Sequence, residues 1–207
     1  MALVTISRMY GSSGSLVARR VAEALGWNLL DNDVVDAVAR RLGVARADVS
    51  AQDERVPTMV ERLATALAMS TPQSMPAIVD ASLPPSEERI VEVTRLVIEE
   101  AVHGRDAVLV GRGAQCVLAN RSDALHVFCY APRASLIAHA VAEHGVAPDE
   151  AARIVDAMNH QREQYVRRHW NRDWRAVENY HLCLNTGALG IDGAADVVVR
   201  LARERVA

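Results

Sequence analysis

The feature of this sequence that most limits its fold is a series of short apolar segments, each separated from the next by a longer amphipathic one. Residues 2–7, 107–110 and 124–130 are rich in Val, Leu, Ile and Ala. Short strands that are apolar throughout are typical of a parallel sheet with helices on both faces. We therefore predict an α/β fold in which a parallel sheet lies between two layers of helices.

Helix signals fill the intervals between these strands. After the first strand, apolar residues at helical spacing predict an inward face made of Leu16, Val17, Val21, Ala24 and Leu25. Gly26 and Gly43 are expected to cap the first two helices, with a short strand over residues 27–30 between them and Asp31 before the second. Further helices are predicted over 57–69, 86–103, 132–144, 148–169 and 192–205, and a last strand over 181–184.

Length and charge narrow the class of protein. With 207 residues the chain is expected to form one domain, 1–207, with a core that needs no disulfides. A net charge of -3 does not suggest a basic surface for nucleic acid.

No apolar run approaches the roughly 18 residues of a membrane helix, and no signal peptide is visible, so we expect a cytoplasmic protein. Cys116, Cys129 and Cys183 lack metal-binding spacing and are expected to be reduced thiols.

The stretch from residue 71 to 86 interrupts the pattern because it holds four of the seven prolines. We predict a mobile insertion here and not a linker, since the αβ pattern resumes directly afterwards. Its apolar residues suit either a contact with a second subunit, giving a homodimer, or a lid over a bound ligand. These residues are Met75, Ile78 and Leu83, together with Met69 just before the stretch.

All 23 basic residues are arginine, and the chain contains no lysine. This excludes Schiff-base chemistry on a lysine, a lysine general base and a lysine in any phosphate-binding loop. The strongly basic side chains of this chain are therefore all arginines, and the planar guanidinium of arginine suits phosphate.

The turn after the first strand has the composition of a phosphate site. Glycines allow the backbone to approach a phosphate, and the next helix begins there with its N–H groups exposed. The residues concerned are Gly11, Ser12, Ser13, Gly14 and Ser15. Ser15 occupies the place of a magnesium-binding hydroxyl. Against the standard pattern GxxxxGK[ST], Arg8 stands at the first Gly, Ser13 at the second and Gly14 at the Lys, so an ordinary ligand-free turn remains an alternative.

Other candidates lie at strand ends and on one late helix. Arg112, between two glycines, is suited to binding a phosphate or a base edge, although it could equally be a surface arginine. Arg162, Arg167 and Arg168 suit a polyphosphate clamp or a solvated helix face. Asp31 suits a carboxylate of the site or a plain helix N-cap.

Several segments together resemble the cytidylate-kinase-like family of P-loop proteins. The first is VTISRMYGSSG at residues 4–14, and the second is GRGA at 111–114. Further matching residues follow in the family's order along the rest of the chain. They are His126 to Phe128, Ala131-Pro132, Glu150-Ala151, Arg162, Tyr165, Trp174, Tyr180 and Leu184 to Thr186.

This resemblance implies a nucleoside-monophosphate-kinase fold, with a five-stranded parallel sheet, a phosphate loop and a helical lid at about residues 139–172. It implies transfer of the γ-phosphoryl group of ATP, with Mg²⁺, to a CMP-like nucleotide or another small acceptor. By transfer, the loop Gly11 to Ser15 holds the donor phosphates, Ser15 binds the metal and Arg8 replaces the lysine. Arg162, with Arg167 or Arg168, stabilises the transferred group. The acceptor side takes Arg112, Asp31 and Asn159.

The chain also departs from the family pattern. Leu136 stands where relatives carry an arginine, with Arg133 one turn earlier, and Asn159 replaces an aspartate. Loss of a lid arginine can cost about 10³-fold in phosphoryl transfer. Two hypotheses follow: a small-molecule kinase, or a catalytically impaired nucleotide-binding module that acts as a sensor or scaffold.

Overall fold

Alternation of apolar and helical segments produces the predicted sandwich. The computed structural model describes residues 2–44 and 86–206. The predicted helix over 57–69 lies outside the described residues, as does the predicted insertion apart from Ser86. Ser86 caps the next helix by accepting a hydrogen bond from the Arg89 N–H at 3.3 Å.

Five strands and seven helices make up the described part. The strands are β1 (Leu3–Arg8), β2 (Asn28–Leu30), β3 (Ala107–Val110), β4 (Ala124–Tyr130) and β5 (Leu182–Asn185). The helices are α1 (Gly14–Leu25), α2 (Asn32–Leu42), α3 (Glu87–Ala101), α4 (Ala114–Val117), α5 (Arg133–His144), α6 (Pro148–Trp170) and α7 (Thr186–Val206), with a 3-10 turn at Val177–Asn179.

The sheet is parallel throughout, in the order β2-β3-β1-β4-β5. Leu3 pairs with Ala107 on one side and with Ala124 on the other. The carboxyl ends of β1, β3 and β4 therefore meet at one edge, which is where open α/β sheets bind ligands.

Side chains alternate between the two faces of the sheet, and helices cover both. Val4 and Ile6 pack with α1 and α7, whereas Leu3 and Leu109 pack with α2 and α3. On β4, Phe128 packs against Tyr165 of α6 and against Trp174 and Tyr180 of the segment that follows α6. The three-layer architecture expected from the sequence is confirmed, and it leaves the carboxyl edge of the sheet for a ligand.

Two local predictions differ from the structure. Leu16 and Ala24, predicted to face the core, are exposed, Leu16 to 44%. The inward positions are taken by Ala18 and Ala22, because the buried stripe is rotated along α1. Helix α7 is interrupted by a break at Gly190, and the predicted helix from residue 192 corresponds to the part after this break; the turn before it begins at Thr186, where Asn185 Oδ1 accepts the Ala188 N–H at 3.2 Å.

Candidate active site

The loop between β1 and α1 wraps closely around its neighbours. Gly11 has φ +78°, and a Cβ there would lie 2.8 Å from the Leu136 carbonyl oxygen, so both conformation and space require glycine. Ser13 precedes α1 in the left-handed region, with φ +57°. The Ser13 side chain makes no capping hydrogen bond to α1, and N–H groups at a helix start of this kind can bind an anion.

Three side-chain or backbone contacts hold the start of this loop. Arg162 Nη1 donates to the Arg8 carbonyl oxygen at 2.9 Å. The Tyr10 N–H donates to Asn159 Oδ1 at 2.7 Å, and the Met9 N–H donates to the Cys129 carbonyl oxygen at 2.9 Å. The path of the chain from Arg8 to Tyr10 is therefore set jointly by β4 and α6.

A second anchor comes from the start of α7. The hydroxyl of Thr186, only 7% exposed, lies 2.7 Å from the Ser12 carbonyl oxygen and 3.0 Å from that of Tyr130, and can donate to either. Ser12 in turn donates its hydroxyl to the Met9 carbonyl oxygen at 2.7 Å. Ser12, which the sequence suggested as a hydrogen-bond donor to phosphate, thus donates its hydroxyl within the loop instead.

Arg8 occupies the space that a lysine at position 14 would need. A Cβ added to Gly14 would lie 2.5 Å from Arg8 Cβ and 3.0 Å from Cys129 Cβ. The Arg8 guanidinium continues to Gly111, where an added Cβ would lie 2.1 Å from Arg8 Nη1. Both glycines make room for Arg8, whose charged end reaches from the loop to the end of β3.

The loop borders a cleft of about 530 Å³, here named the loop cleft. Its lining comprises Arg8 to Gly11, Ser13 to Leu16, His139, Ala142, Glu143 and Arg162. The Tyr10 hydroxyl donates to Glu143 Oε2 at 3.1 Å and lies 2.6 Å from His144 Nε2. Arg162 lies over the Tyr10 ring, 5.7 Å from its centroid, so this tyrosine links the loop to both α5 and α6.

A second cavity, here named the arginine cavity, lies at the ends of β1 and β3. It is lined by Ser7, Arg8, Gly111, Arg112, Gly113, Gln115, Arg162, Tyr165, Val166 and Trp174. Three of these residues are arginines, and none of the described lining residues is acidic. Its volume of about 30 Å³ holds roughly two water molecules. The arrangement favours a small anionic group.

Arg8 and Arg162 line both cavities. They stand at the junction between the loop cleft and the arginine cavity, where a group passing from one ligand to the other would be found. Fixed positive charge at such a junction stabilises negative charge that develops during transfer.

The structure brings together some of the predicted site residues and separates others. Arg112 lines the arginine cavity, with φ +55°. Arg168 pairs with Glu87 at the start of α3, and Arg167 is exposed; neither lines the two cavities. Asp31 follows the edge strand β2 and lines neither cavity.

Asn159 also differs from its predicted place on the acceptor side. It is 3% exposed, bonds the loop backbone, and lines a different cavity, which it shares with Arg133 and Asp156. Asn159 lies three residues before Arg162, about one helical turn away. Its side chain contacts the loop at Tyr10 and does not line the arginine cavity.

Residues not identified from the sequence complete the site. Gln115, 3% exposed, and Trp174, also 3% exposed, line the arginine cavity. Gln115 lies on α4, a four-residue helix too short to be recognised by periodicity. Gly113, with φ +67°, was predicted only to flank Arg112. The Trp170 ring packs against it so closely that a Cβ added to Gly113 would overlap the ring.

The thiols are not suited to nucleophilic or metal chemistry. All three cysteines are free, and burial raises the pKa of Cys116 to about 11 and that of Cys129 to about 12. Within residues 2–44 and 86–206, no group of three His, Cys, Asp or Glu side chains could hold a metal ion. None of the helices in this described part is long and apolar enough to cross a membrane.

Solved structures of similar fold include small-molecule kinases. An uncharacterized protein from Eubacterium ventriosum is 18% identical with a TM-score of 0.70, covering 98% of this chain and 99% of that one. Shikimate kinase from Bacteroides thetaiotaomicron is 13% identical with a TM-score of 0.54, covering 98% of each chain. A gluconokinase from Sinorhizobium meliloti is 12% identical with a TM-score of 0.51, covering 98% and 94%.

These likenesses confirm the P-loop kinase fold. No curated protein matches this chain. The sequence model of the cytidylate kinase-like family, by contrast, matches residues 3–188, nearly the whole length and including every residue that lines the two cavities. The chain belongs to the cytidylate kinase-like family.

Proposed function

We propose that the protein transfers the γ-phosphoryl group of MgATP to a small anionic acceptor, with a CMP-like nucleotide favoured by its family. The observation that carries this proposal is the presence of Arg8 and Arg162 in the lining of both cavities. An acceptor oxygen forms the new bond to the γ-phosphorus as the bond to ADP breaks. Transfer of this kind depends on positioning and positive charge more than on covalent chemistry.

On the donor side, the loop cleft takes the phosphates. The uncapped start of α1 and the loop backbone offer N–H groups, and Arg8 supplies the charge that a lysine supplies elsewhere. The Ser15 hydroxyl and the nucleotide's own phosphates are the groups that fit Mg²⁺, because the described residues contain no cluster of three ligands. When bound, Mg²⁺ neutralises charge on the β- and γ-phosphates.

On the acceptor side, the arginine cavity takes the anionic group. Arg112 enters it from the end of β3, and Gln115 supplies both a donor and an acceptor. At about 30 Å³ the cavity is too small for a nucleotide, so α6 must move outward to admit one. Shikimate, named with one similar structure, is a smaller candidate acceptor, and it too requires the cavity to widen.

Calorimetric titration with MgATP tests the donor side without knowledge of the acceptor. We expect micromolar binding by the wild type and at least tenfold weaker binding by Arg8→Ala. Arg133→Ala is the matched control, because that guanidinium pairs with Asp156 at 2.7 Å and lines neither cavity. No binding by the wild type up to millimolar MgATP would overturn the proposal.

An acceptor screen with CMP, shikimate and gluconate then tests turnover. We expect Arg8→Ala to lower the rate at least tenfold with the fold intact, and an unchanged rate would remove Arg8 from the mechanism. One observation favours the second candidate function, a nucleotide sensor or scaffold: Leu136, at the family's arginine position, is 1% exposed. Saturable nucleotide binding with no turnover of any acceptor would support that function.

A further inference from the structure

Helix α6 contacts the phosphate loop at two points separated by one helical turn. Asn159 Oδ1 accepts the Tyr10 N–H at 2.7 Å, and Arg162 Nη1 donates to the Arg8 carbonyl oxygen at 2.9 Å. One contact uses a backbone donor of the loop and the other a backbone acceptor. Together they join the helix to the loop by polar bonds of definite direction.

The Asn159 side chain is buried, and its amide oxygen accepts the hydrogen bond from the Tyr10 N–H. It is 3% exposed, and it lies beside a cavity whose lining is partly apolar, through Leu136 and Val155, and partly charged, through Arg133 and Asp156. A buried amide in such surroundings is destabilising unless it is hydrogen-bonded. The loop N–H and the asparagine therefore satisfy each other, and removing either leaves the other buried without its partner.

The consequence falls on Arg8. Its carbonyl oxygen is held by Arg162, the following N–H by β4 and the next N–H by Asn159. With three successive backbone groups fixed, the side chain of Arg8 leaves the end of β1 in one direction, across Gly14 and toward Gly111. A lysine in the standard pattern begins on the helix itself, whereas this arginine begins at the last residue of β1, where the chain enters the loop.

We propose that Asn159 is a positioning residue, which ties the lid helix α6 to the phosphate loop and so aims Arg8 at the junction of the two cavities. Outward movement of α6 then breaks the bonds to Tyr10 and Arg8 together, and the loop loses the shape that orients Arg8. Nucleotide binding is thereby coupled to the position of the lid. The effect on nucleotide rests on the proposed function, whereas the bond to Tyr10 does not.

The test compares Asn159→Leu, which cannot accept a hydrogen bond, with Asn159→Asp, which keeps the accepting oxygen. Amide hydrogen exchange of Tyr10, followed by NMR in the nucleotide-free protein, reads the bond directly. MgATP titration reads its consequence. Asn179→Leu is the matched control, since the Asn179 amide donates to the Asp173 carbonyl oxygen at 2.6 Å, away from the loop.

In Asn159→Leu we expect Tyr10 exchange at least tenfold faster than in the wild type, and a Kd for MgATP about tenfold higher. Asn159→Asp should keep both values within about threefold, and Asn179→Leu should leave both unchanged. If the leucine variant does not fold, Asn159→Ser, whose shorter side chain cannot reach the Tyr10 N–H, makes the same comparison with aspartate.

Unchanged Tyr10 exchange in Asn159→Leu would overturn the proposal whatever the nucleotide affinity. Faster exchange with an unchanged Kd, in a protein whose Arg8→Ala variant does bind MgATP more weakly, would overturn the positioning role and leave the proposed function standing. Faster Tyr10 exchange in Asn159→Leu, combined with a wild-type protein that binds no MgATP, would overturn both the proposed function and the positioning role.

Discussion

Gly14→Lys restores the lysine of the standard phosphate loop, and we expect it to harm this protein. The added Cβ would lie 2.5 Å from Arg8 Cβ and 3.0 Å from Cys129 Cβ. Arg8 Cβ is fixed by the backbone, so rotation of the Arg8 side chain cannot relieve this contact. The new ammonium group would also enter a space already crossed by the Arg8 side chain.

The size of the effect follows from the overlap. Forcing extra atoms into a packed site costs about 1–3 kcal/mol. For a chain of this length each kcal/mol lowers Tm by about 2–4 °C, so a loss of about 4–8 °C corresponds to the middle of the range. We expect MgATP binding to weaken at least tenfold as well, because Arg8 must be displaced.

The same reasoning predicts rescue by Arg8→Gly. That second change removes the clashing Cβ and recreates glycine at the first position of the standard pattern, with lysine at the seventh. Arg8→Gly alone should lose nucleotide affinity, since it removes the cation. The double variant should bind MgATP more tightly than either single variant and regain most of the lost stability, less about 0.5–1 kcal/mol for the glycine.

Urea unfolding and MgATP titration of the four proteins form a double-mutant cycle. Gly193→Lys in α7 is the matched control, because the nearest atom to an added Cβ there is Leu189 Cβ at 3.8 Å, an ordinary contact. That substitution should leave stability and binding near the wild-type values. Wild-type behaviour of Gly14→Lys, or strict additivity in the cycle, would refute the idea that positions 8 and 14 exclude each other's side chains.

Two further predictions concern a buried histidine and the arginine cavity. Burial, with a smaller contribution from the His181 ring, lowers the pKa of His126 from 6.5 to about 4. The unfolded chain therefore takes up the proton first, so this contribution to stability is complete above about pH 6.5 and is lost as the pH falls toward 4, with about 2 kcal/mol gone at pH 5. Urea unfolding at pH 7 and 5 should show that His126→Gln loses less stability than the wild type, and equal losses would contradict the assignment. Gln115→Leu should raise the acceptor KM roughly tenfold, the scale of one lost hydrogen bond, with the Kd for MgATP unchanged; steady-state kinetics and calorimetry check this, and a change confined to MgATP binding would place Gln115 on the donor side.

Much of the fold could be predicted because its signals are local. Gly26 and Gly43 end helices in the left-handed conformation that only glycine adopts readily. The buried strands were recognisable as runs of apolar residues. Leu16 shows the limit of such patterns: its spacing fits the buried stripe of α1, yet it lines the loop cleft, because a helix beside a ligand site exposes part of that stripe.

The candidate site was harder to predict because its bonds span the chain. Asn159 and Tyr10 are 149 residues apart, and Thr186 and Ser12 are 174 apart. No local pattern links such pairs, so the family resemblance alone suggested that Asn159 belongs to the site, and it suggested the acceptor side. The mismatch of positions 8 and 14 to the standard loop was visible in the sequence, but the close packing of Arg8 on Gly14 is seen only in the structure.

The position of Arg8 and Arg162 has a thermodynamic consequence. Because both arginines line both cavities, two anionic ligands bound there as we propose would share one pair of cations, and each would alter the binding free energy of the other. Linkage requires this effect to be reciprocal: the factor by which bound nucleotide changes the affinity for the acceptor equals the factor by which bound acceptor changes the affinity for the nucleotide. Either factor, once measured, determines the other regardless of which ligand binds first.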